Sequence, residues 1–344
     1  MIDKLLADRS LPPLKSREQM LDIMLKEVYG YLPDKPERLT FELISTENFC
    51  AGKAVCSRLM AHCTLKNGEF SFPFCAVVPK GCKNAPFFVH INFRNSVPDK
   101  YQPTEELVDN GFAVFSFCHR EVTFDNDDMA DGMYGVLHPD GKRGLHDGGK
   151  IAVWAWAAQR VLDYAETLGD ALDFSRSVVC GHSRLGKTAL LAAATDTRFA
   201  FAYSNNSGCT GASLSRGNRG ESVTVINNAF PLWFSENYKK YAHKEYAMPF
   251  DQHYLLAAIA PRYVCVGSAV EDNWADPLSE LLCCAAAGPA FEKEGKKGFV
   301  HNGQLAKAGE CFFEGSVGYH LREGNHYFGR YDWLKLIEFV NSKG

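Results

Sequence analysis

The stretch that decides the fold runs from residue 177 to residue 190 and reads Ser-Val-Val-Cys-Gly-His-Ser-Arg-Leu-Gly-Lys-Thr-Ala-Leu. Its first four residues form an apolar run, which is typical of a strand buried on both faces of a sheet. The pattern that follows predicts a helix over 184–195. A tight turn from Gly181 to Ser183 therefore joins a buried strand to a helix, as in an α/β domain.

Two chemistries fit this turn. Residues 181–188 match G-x-x-x-x-G-K-[ST], the phosphate-binding P-loop, in which Lys187 would contact phosphates and Thr188 magnesium. The same turn places Ser183 where an α/β hydrolase carries its nucleophile. The usual hydrolase motif is G-x-S-x-G, however, and here Leu185 precedes the second glycine.

Residues elsewhere in the chain decide against the P-loop. The apolar runs that end at Phe93 and Phe117 lack the aspartate that would hold magnesium. A hydrolase instead needs an acid and then a histidine downstream of its serine. Asp272 follows a later apolar run, and His326 precedes the last predicted helix. We interpret Ser183, Asp272 and His326 as a catalytic triad in chain order.

Strands and helices alternate along most of the chain. Alternating polarity predicts antiparallel strands that begin at residues 39 and 54, and apolar runs predict buried strands at 86–93, 111–117 and 262–269. Helices are predicted over 15–29, 150–168 and 331–341. The expected architecture is an α/β-hydrolase fold, a three-layer sandwich with a mainly parallel central sheet and antiparallel N-terminal edge strands. We expect a single domain over 1–344, with a helical segment of about residues 1–35 packed on it.

The composition excludes several classes of protein. Of the 344 residues, 46% are hydrophobic and 23% are charged, which is ordinary for a globular protein. No apolar run is long enough to predict a membrane helix. The net charge of −4 leaves no basic excess for nucleic acid. Neither nucleic acid nor a membrane is therefore an expected partner.

No metal and no organic cofactor are predicted. The twelve cysteines are scattered, and none of them forms a C-x-x-C pair. The polar loop over 123–148 is rich in aspartate, but Met129 stands where a calcium loop would need an oxygen ligand. We therefore interpret this segment as a solvated loop near the active face.

Cysteines and the N-terminal residues bear on location. Cys180 and Cys265 stand inside apolar runs, and buried free thiols favour a reducing compartment. Residues 1–10 show no apolar core of a signal peptide. The prediction is a cytoplasmic protein, and the alternative is a secreted protein whose signal has been removed.

The turn and several downstream motifs resemble the glucuronoyl esterases, a family of carbohydrate esterases with the α/β-hydrolase fold. Residues 181–187 are similar to the family's G-x-S-R-x-G-K motif. The likeness is dense from about residue 150 to residue 335 and includes the segments 204–216, 219–221, 227–234, 249–262, 271–277 and 324–326. Such enzymes cleave esters of (4-O-methyl-)glucuronic acid, including those that join xylan to lignin alcohols.

The resemblance implies a role for each matching residue. Ser183 matches the nucleophile, and His326 matches the base that activates it and later protonates the leaving alcohol. Arg184 matches a residue that donates to the oxyanion beside backbone N–H groups. Three further residues match positions that contact the sugar, namely Lys187 and Glu221 through hydroxyl groups and Trp274 through the ring face.

The acid departs from the pattern of many members. They carry it in a Glu-Ser-Gly segment after the strand that follows the turn, and here that segment begins with Asn206. An amide cannot stabilise an imidazolium as a carboxylate does. We therefore expect the acid in the loop that holds Glu271 and Asp272, as in other members. Asp272 is favoured because the family's acid there precedes the tryptophan by two residues.

The predicted function is a serine carboxylic ester hydrolase that acts on small-molecule or oligosaccharide esters of glucuronic acid through an acyl-enzyme on Ser183. An esterase for acetylated xylan or another acyl sugar would share the triad and need no contacts to a carboxyl-bearing sugar. A carbohydrate-binding homologue without turnover is the alternative from another class, and Asn206 is the residue that motivates it.

Overall fold

Ten strands form one mixed sheet in the computed structural model, which describes residues 1 to 344. The strands are β1 (Arg38–Phe49), β2 (Ala54–Leu65), β3 (Gly68–Pro79), β4 (Ala85–Asn92), β5 (Ala113–Cys118), β6 (Leu172–His182), β7 (Phe201–Asn205), β8 (Tyr263–Ala269), β9 (Cys311–Phe312) and β10 (Val317–Arg322). Their order in the sheet is β1-β2-β3-β5-β4-β6-β7-β8-β10-β9. Six neighbouring strands of this sheet run parallel to one another, namely β5, β4, β6, β7, β8 and β10. Strands β1, β2 and β3 at one edge and β9 at the other pair antiparallel with their neighbours.

Ten α-helices accompany the sheet. They are α1 (Ile2–Asp8), α2 (Arg17–Met24), α3 (Thr104–Asp109), α4 (Gly132–Leu137), α5 (Lys150–Glu166), α6 (Arg184–Thr195), α7 (Val223–Ala229), α8 (His253–Ala257), α9 (Pro277–Lys293) and α10 (Arg330–Asn341). No helix is both long and apolar enough to cross a lipid bilayer.

The sheet is buried on both faces, as a parallel sheet requires. Alternate residues of β4 show this directly, because Phe87 and Val89 join the large hydrophobic core that includes α5, α6, α8 and α9. Phe88, between them, faces a second core formed with Trp333 and Phe339 of α10. These two cores on opposite faces confirm the predicted α/β-hydrolase fold, including its antiparallel strands at the N-terminal edge.

Several elements lie where the sequence pattern predicts them. Helix α6 has the predicted bounds, and α5 ends two residues early. Helix α2 begins after Ser16, whose side chain forms a capping box with Gln19, and the chain then continues in a wider helical turn to Tyr29. Local periodicity and capping therefore determine these elements.

Helix α9 is an element that the periodicity does not reveal. Its apolar residues lie on every side, because it is buried against β8, β10 and α8. It also contains Pro289 in its interior, which the sequence pattern would take for a helix end. A helix that is apolar on every side is buried by the elements around it, and its sequence shows no amphipathic pattern that would predict it.

Candidate active site

Ser183 lies at the turn between β6 and α6 in a strained backbone conformation, with φ 57° and ψ −127°. The turn is crowded, since a Cβ on Gly181 would lie 2.3 Å from the carbonyl oxygen of Leu185. A Cβ on Gly186 would lie 2.9 Å from Oγ of Ser204. Both glycines are thus required by close contact. Strain of this kind is typical of a functional turn.

One cavity of about 380 Å³ next to this turn is lined by all seven site residues predicted from the sequence. They are Ser183, Arg184, Lys187, Glu221, Asp272, Trp274 and His326. They come from the turn before α6 and from α6 itself, from the loops after β7 and β8, and from the loop after β10. The carboxyl ends of parallel strands meet at one edge of a sheet, and sites in α/β folds form there.

Asp272 contacts the imidazole of His326. Its Oδ2 lies 2.6 Å from Nδ1 of His326, and the same oxygen accepts a hydrogen bond of 2.7 Å from Nδ2 of Asn206. Burial would raise the pKa of this carboxyl, but the hydrogen bond and charge of His326, with the Asn206 amide, hold it below its usual value. Glu271 is exposed, and its backbone N–H donates to Gly324. The geometry thus separates the two acids that the sequence leaves adjacent.

The loop that carries His326 is fixed by a buried ion pair. Arg322, at the end of β10, pairs at 3.0 Å with both carboxylate oxygens of Asp332 in α10. It also donates to the carbonyl oxygens of Asn325 and Tyr327 on either side of His326. The guanidinium of Arg322 therefore fixes the backbone on both sides of His326.

His182 packs against the same imidazole, with ring centroids 4.4 Å apart. Its Nδ1 lies 2.7 Å from Oδ1 of Asn205, which in turn donates to Asp332 at 3.0 Å. Burial, and secondarily the neighbouring His326, lowers the pKa of His182 to about 3. A neutral ring thus lies beside the imidazole of His326.

Arg184 is held by aromatic rings and by one carboxylate. Its guanidinium carbon lies 4.8 Å from the ring centre of Trp233, and Phe230 stacks on the same tryptophan. Asp125 forms an ion pair with it. The Nε–H of Arg184 is buried and has no hydrogen-bond partner within the protein. A donor of this kind is suited to a negative charge that develops during a reaction.

The three residues predicted to contact sugar differ in exposure. Lys187 is buried, and its ammonium donates to the carbonyl oxygens of Ser207 and, at 2.6 Å, Cys209. Glu221 is also buried, and burial raises its pKa while nearby Lys187 opposes this. Trp274 is 57% exposed and presents its ring at the cavity. Lys187 therefore also braces the segment that begins at Asn206.

Sequence reasoning missed two residues with contacts to the site. Asn206 was noted for the acid that it lacks, yet it hydrogen-bonds the acid that is present. Asp125 belongs to a loop interpreted as solvated and near the active face, and its side chain is largely buried against Arg184. Neither pairing leaves a signal in a single sequence, because the partners are far apart along the chain. No group of three or more His, Cys, Asp or Glu side chains could hold a metal ion.

Comparison with known proteins places the chain in a family. The model of fungal glucuronyl esterases matches residues 62–295, more than half of the chain. A carbohydrate esterase, MZ0003, from an unidentified prokaryote is 30% identical over 95% of this chain and 84% of its own length. The 4-O-methyl-glucuronoyl methylesterase of Podospora anserina is 29% identical over 70% of this chain, which spans about half of that relative.

A solved structure agrees with these sequence matches. The glucuronoyl esterase from Solibacter usitatus superposes with a TM-score of 0.86 and is 32% identical, over 96% of this chain and 92% of that one. The likeness therefore extends over nearly the whole length of both chains. The chain belongs to the glucuronoyl esterase family.

Proposed function

We propose that the protein hydrolyses esters of glucuronic acid through an acyl-enzyme on Ser183. The observation that carries the proposal is the contact of Asp272 with His326 at the cavity that also contains Ser183. Arg184 lines the same cavity with an unpaired Nε–H. A nucleophile, a base held by an acid, and an oxyanion donor are the parts that acyl transfer needs.

The chemistry follows from these positions. Oγ of Ser183 attacks the ester carbonyl carbon while Nε2 of His326 takes the hydroxyl proton. Asp272 accepts from Nδ1–H and stabilises the imidazolium that forms. The carbonyl oxygen becomes an oxyanion, to which Arg184 donates. As the carbon–oxygen bond to the alcohol breaks, His326 returns the proton to that alcohol, and water then releases the acid from Ser183 by the same steps in reverse.

The acid part of the substrate is assigned from the cavity lining. Glu221, whose pKa is raised by burial, and Lys187 offer polar groups to sugar hydroxyls, and the exposed ring of Trp274 offers an apolar face. Curated relatives are named as 4-O-methyl-glucuronoyl methylesterases, which supports the same acid part.

Ser183→Ala tests the function with benzyl glucuronate as the substrate. We expect the variant to lose turnover by about 10⁵-fold or more, because no other group near His326 can form the acyl-enzyme. Circular dichroism should show an unchanged fold. Wild-type enzyme without turnover would favour a binding protein instead. Faster hydrolysis of acetylated xylan than of glucuronate esters, with one preparation, would favour the acyl-sugar esterase.

The cellular location remains a separate prediction. All twelve cysteines are free, and nine of them are buried. We infer a reducing compartment from these thiols, whereas an esterase that acts on plant polymer would work outside the cell. Cell fractionation decides between an enzyme for imported glucuronate esters and an exported one.

A further inference from the structure

The loop between β5 and α4 surrounds the ammonium group of Lys150. Its Nζ lies 2.9 Å from the carbonyl oxygen of Phe124 and 3.0 Å from that of Asp128. Both oxygens of Asn126 are closer, the carbonyl oxygen at 2.8 Å and Oδ1 at 2.7 Å. Oxygen atoms from alternate residues of a loop are a common way to surround a metal cation. Here the ammonium group of Lys150 takes the place that a metal cation would occupy in such a loop.

Lys150 occupies a costly position. It is fully buried, and burial lowers the pKa of its ammonium group. It is also the first residue of α5, where the positive end of the helix dipole disfavours a cation. A buried charge persists only where hydrogen bonds compensate it. A buried lysine at the N-terminus of a helix is unfavourable both for its burial and for its charge, and a residue kept at such a position indicates a functional constraint.

Lys150 is connected to Arg184 through two sets of contacts, one made by its side chain and one by its backbone. Its side chain holds the loop that carries Asp125, which pairs with Arg184 and accepts a hydrogen bond of 2.5 Å from Nε1 of Trp233. Its backbone N–H donates at 2.8 Å to Leu232, the neighbour of Trp233. Lys150 thus contacts both segments between which the guanidinium lies.

We propose that Lys150 is a positioning residue that holds Asp125 and Trp233 so that Nε–H of Arg184 faces the oxyanion. The inference rests on the proposed function, in which Arg184 donates to that oxyanion. A guanidinium on a long side chain has many rotamers, and fixing two of its neighbours selects one of them. Displacement of a catalytic group by about 1 Å can cost about 10²-fold in rate. The loop can therefore affect catalysis through the position of Arg184, without contact with the substrate.

Lys150→Met is the direct test, because methionine keeps the apolar stem and removes the charge. We expect kcat for benzyl glucuronate to fall by about 10²-fold and KM to change by less than about threefold, because the sugar contacts remain in place. Lys142→Met is the matched control, since Lys142 is an exposed lysine in the neighbouring loop between α4 and α5. It should keep the wild-type kcat.

A double-mutant cycle with Arg184→Gln separates a positioning role from a merely structural one. In the Arg184→Gln background, Lys150→Met should reduce kcat by less than about threefold, because the group that it positions is already absent. Added propylammonium should restore part of the activity of Lys150→Ala by filling the loop with an ammonium group. Additive losses in the cycle, or no response to propylammonium, would contradict the inference.

The remaining outcomes are also decisive. Wild-type kcat in Lys150→Met would overturn the inference and leave the proposed function intact, whereas wild-type protein without turnover would overturn both. If Lys150→Met does not fold, Asp125→Asn tests the same connection, since it keeps the loop around Lys150 and removes the ion pair with Arg184. It should lower kcat by about tenfold or more with little change in KM, and an unchanged kcat would refute the inference.

Discussion

Asn206 stands where the resemblance to the family leads one to expect a catalytic acid. Its Nδ2 donates to the Asp272 oxygen that also contacts His326, so the amide stabilises a carboxylate that comes from a different loop. Its own Oδ1 is buried without a hydrogen-bond partner, which costs about 1–3 kcal/mol for such a group. A cost of this size at one residue is consistent with a site arranged for catalysis.

Asp272→Asn should reduce kcat by about 10²–10⁴-fold, because the variant can neither orient nor stabilise the imidazolium. Glu271→Gln should reduce it by less than about tenfold, since Glu271 is exposed and only its backbone contacts the loop of His326. Steady-state rates on benzyl glucuronate measure both effects. The reverse order of the two losses would show that Glu271 is the acid.

A carboxylate at position 206 should partly restore the Asp272→Asn enzyme. Asn206→Glu would place a carboxylate where the Asn206 amide now lies 2.7 Å from the side chain of residue 272. Recovery of about tenfold in kcat would show that either loop can supply the acid. Without any recovery, the imidazole would be accessible only from the loop after β8.

Helix α9 carries a buried carboxyl group that contacts the backbone of the segment lining the cavity. Glu280, in its first turn, accepts a hydrogen bond of 2.9 Å from the backbone N–H of Gly208, and Ser268 donates to its other oxygen at 2.5 Å. Burial raises the pKa of Glu280 to about 8, against the hydrogen bonds, while the charge of Asp272 adds to the rise and Lys187 opposes it. The folded protein therefore keeps a neutral carboxyl group here at neutral pH.

This raised pKa predicts a pH dependence of stability. Unfolded Glu280 loses its proton near pH 4.5 and the folded group near pH 8, so its stabilising contribution is complete below about pH 4.5 and is lost as the pH rises through about 8. Glu280→Gln should flatten the fall of Tm between pH 5 and pH 9 by about 5 °C. Glu292→Gln, at an exposed site of α9, serves as the control. Parallel Tm curves for wild type and Glu280→Gln would contradict the shift.

At the scale of the whole molecule, the N-terminal segment is part of the main core. Five of its side chains are almost completely buried there, namely Ile2, Met20, Met24, Val28 and Tyr29. Tyr29 also donates to the carbonyl oxygen of Thr210, within the segment that follows β7. We therefore propose that the chain folds as one domain, to which this segment contributes.

Deletion of the first 29 residues should prevent folding. The five side chains together contribute about 10 kcal/mol, at about 1.5–3 kcal/mol each, which is comparable to the whole stability of a typical protein. Far-ultraviolet circular dichroism and size exclusion measure the outcome, with the exposed substitution Lys15→Ala as the control. A truncated chain with native Tm would show that the segment is an accessory.

The fold could be predicted because its signals are local. The apolar run of β6, the crowded glycine turn and the periodic pattern of α6 follow one another within 24 residues. Helix α9 escaped prediction because an element that is buried on all sides has no stripe to reveal it. For α9, prediction failed because contacts with distant parts of the chain determine the element.

The sequence by itself determined the strand–turn–helix unit around Ser183 and the order of serine, acid and histidine, since both depend on neighbouring residues and on chain order. Only the tertiary structure decided that Asn206 hydrogen-bonds Asp272, that Asp125 pairs with Arg184, and that a lysine fills the loop interpreted as merely solvated. These contacts join residues that are up to 66 positions apart. Their formation depends on how helices and loops pack around the sheet, which no local pattern encodes.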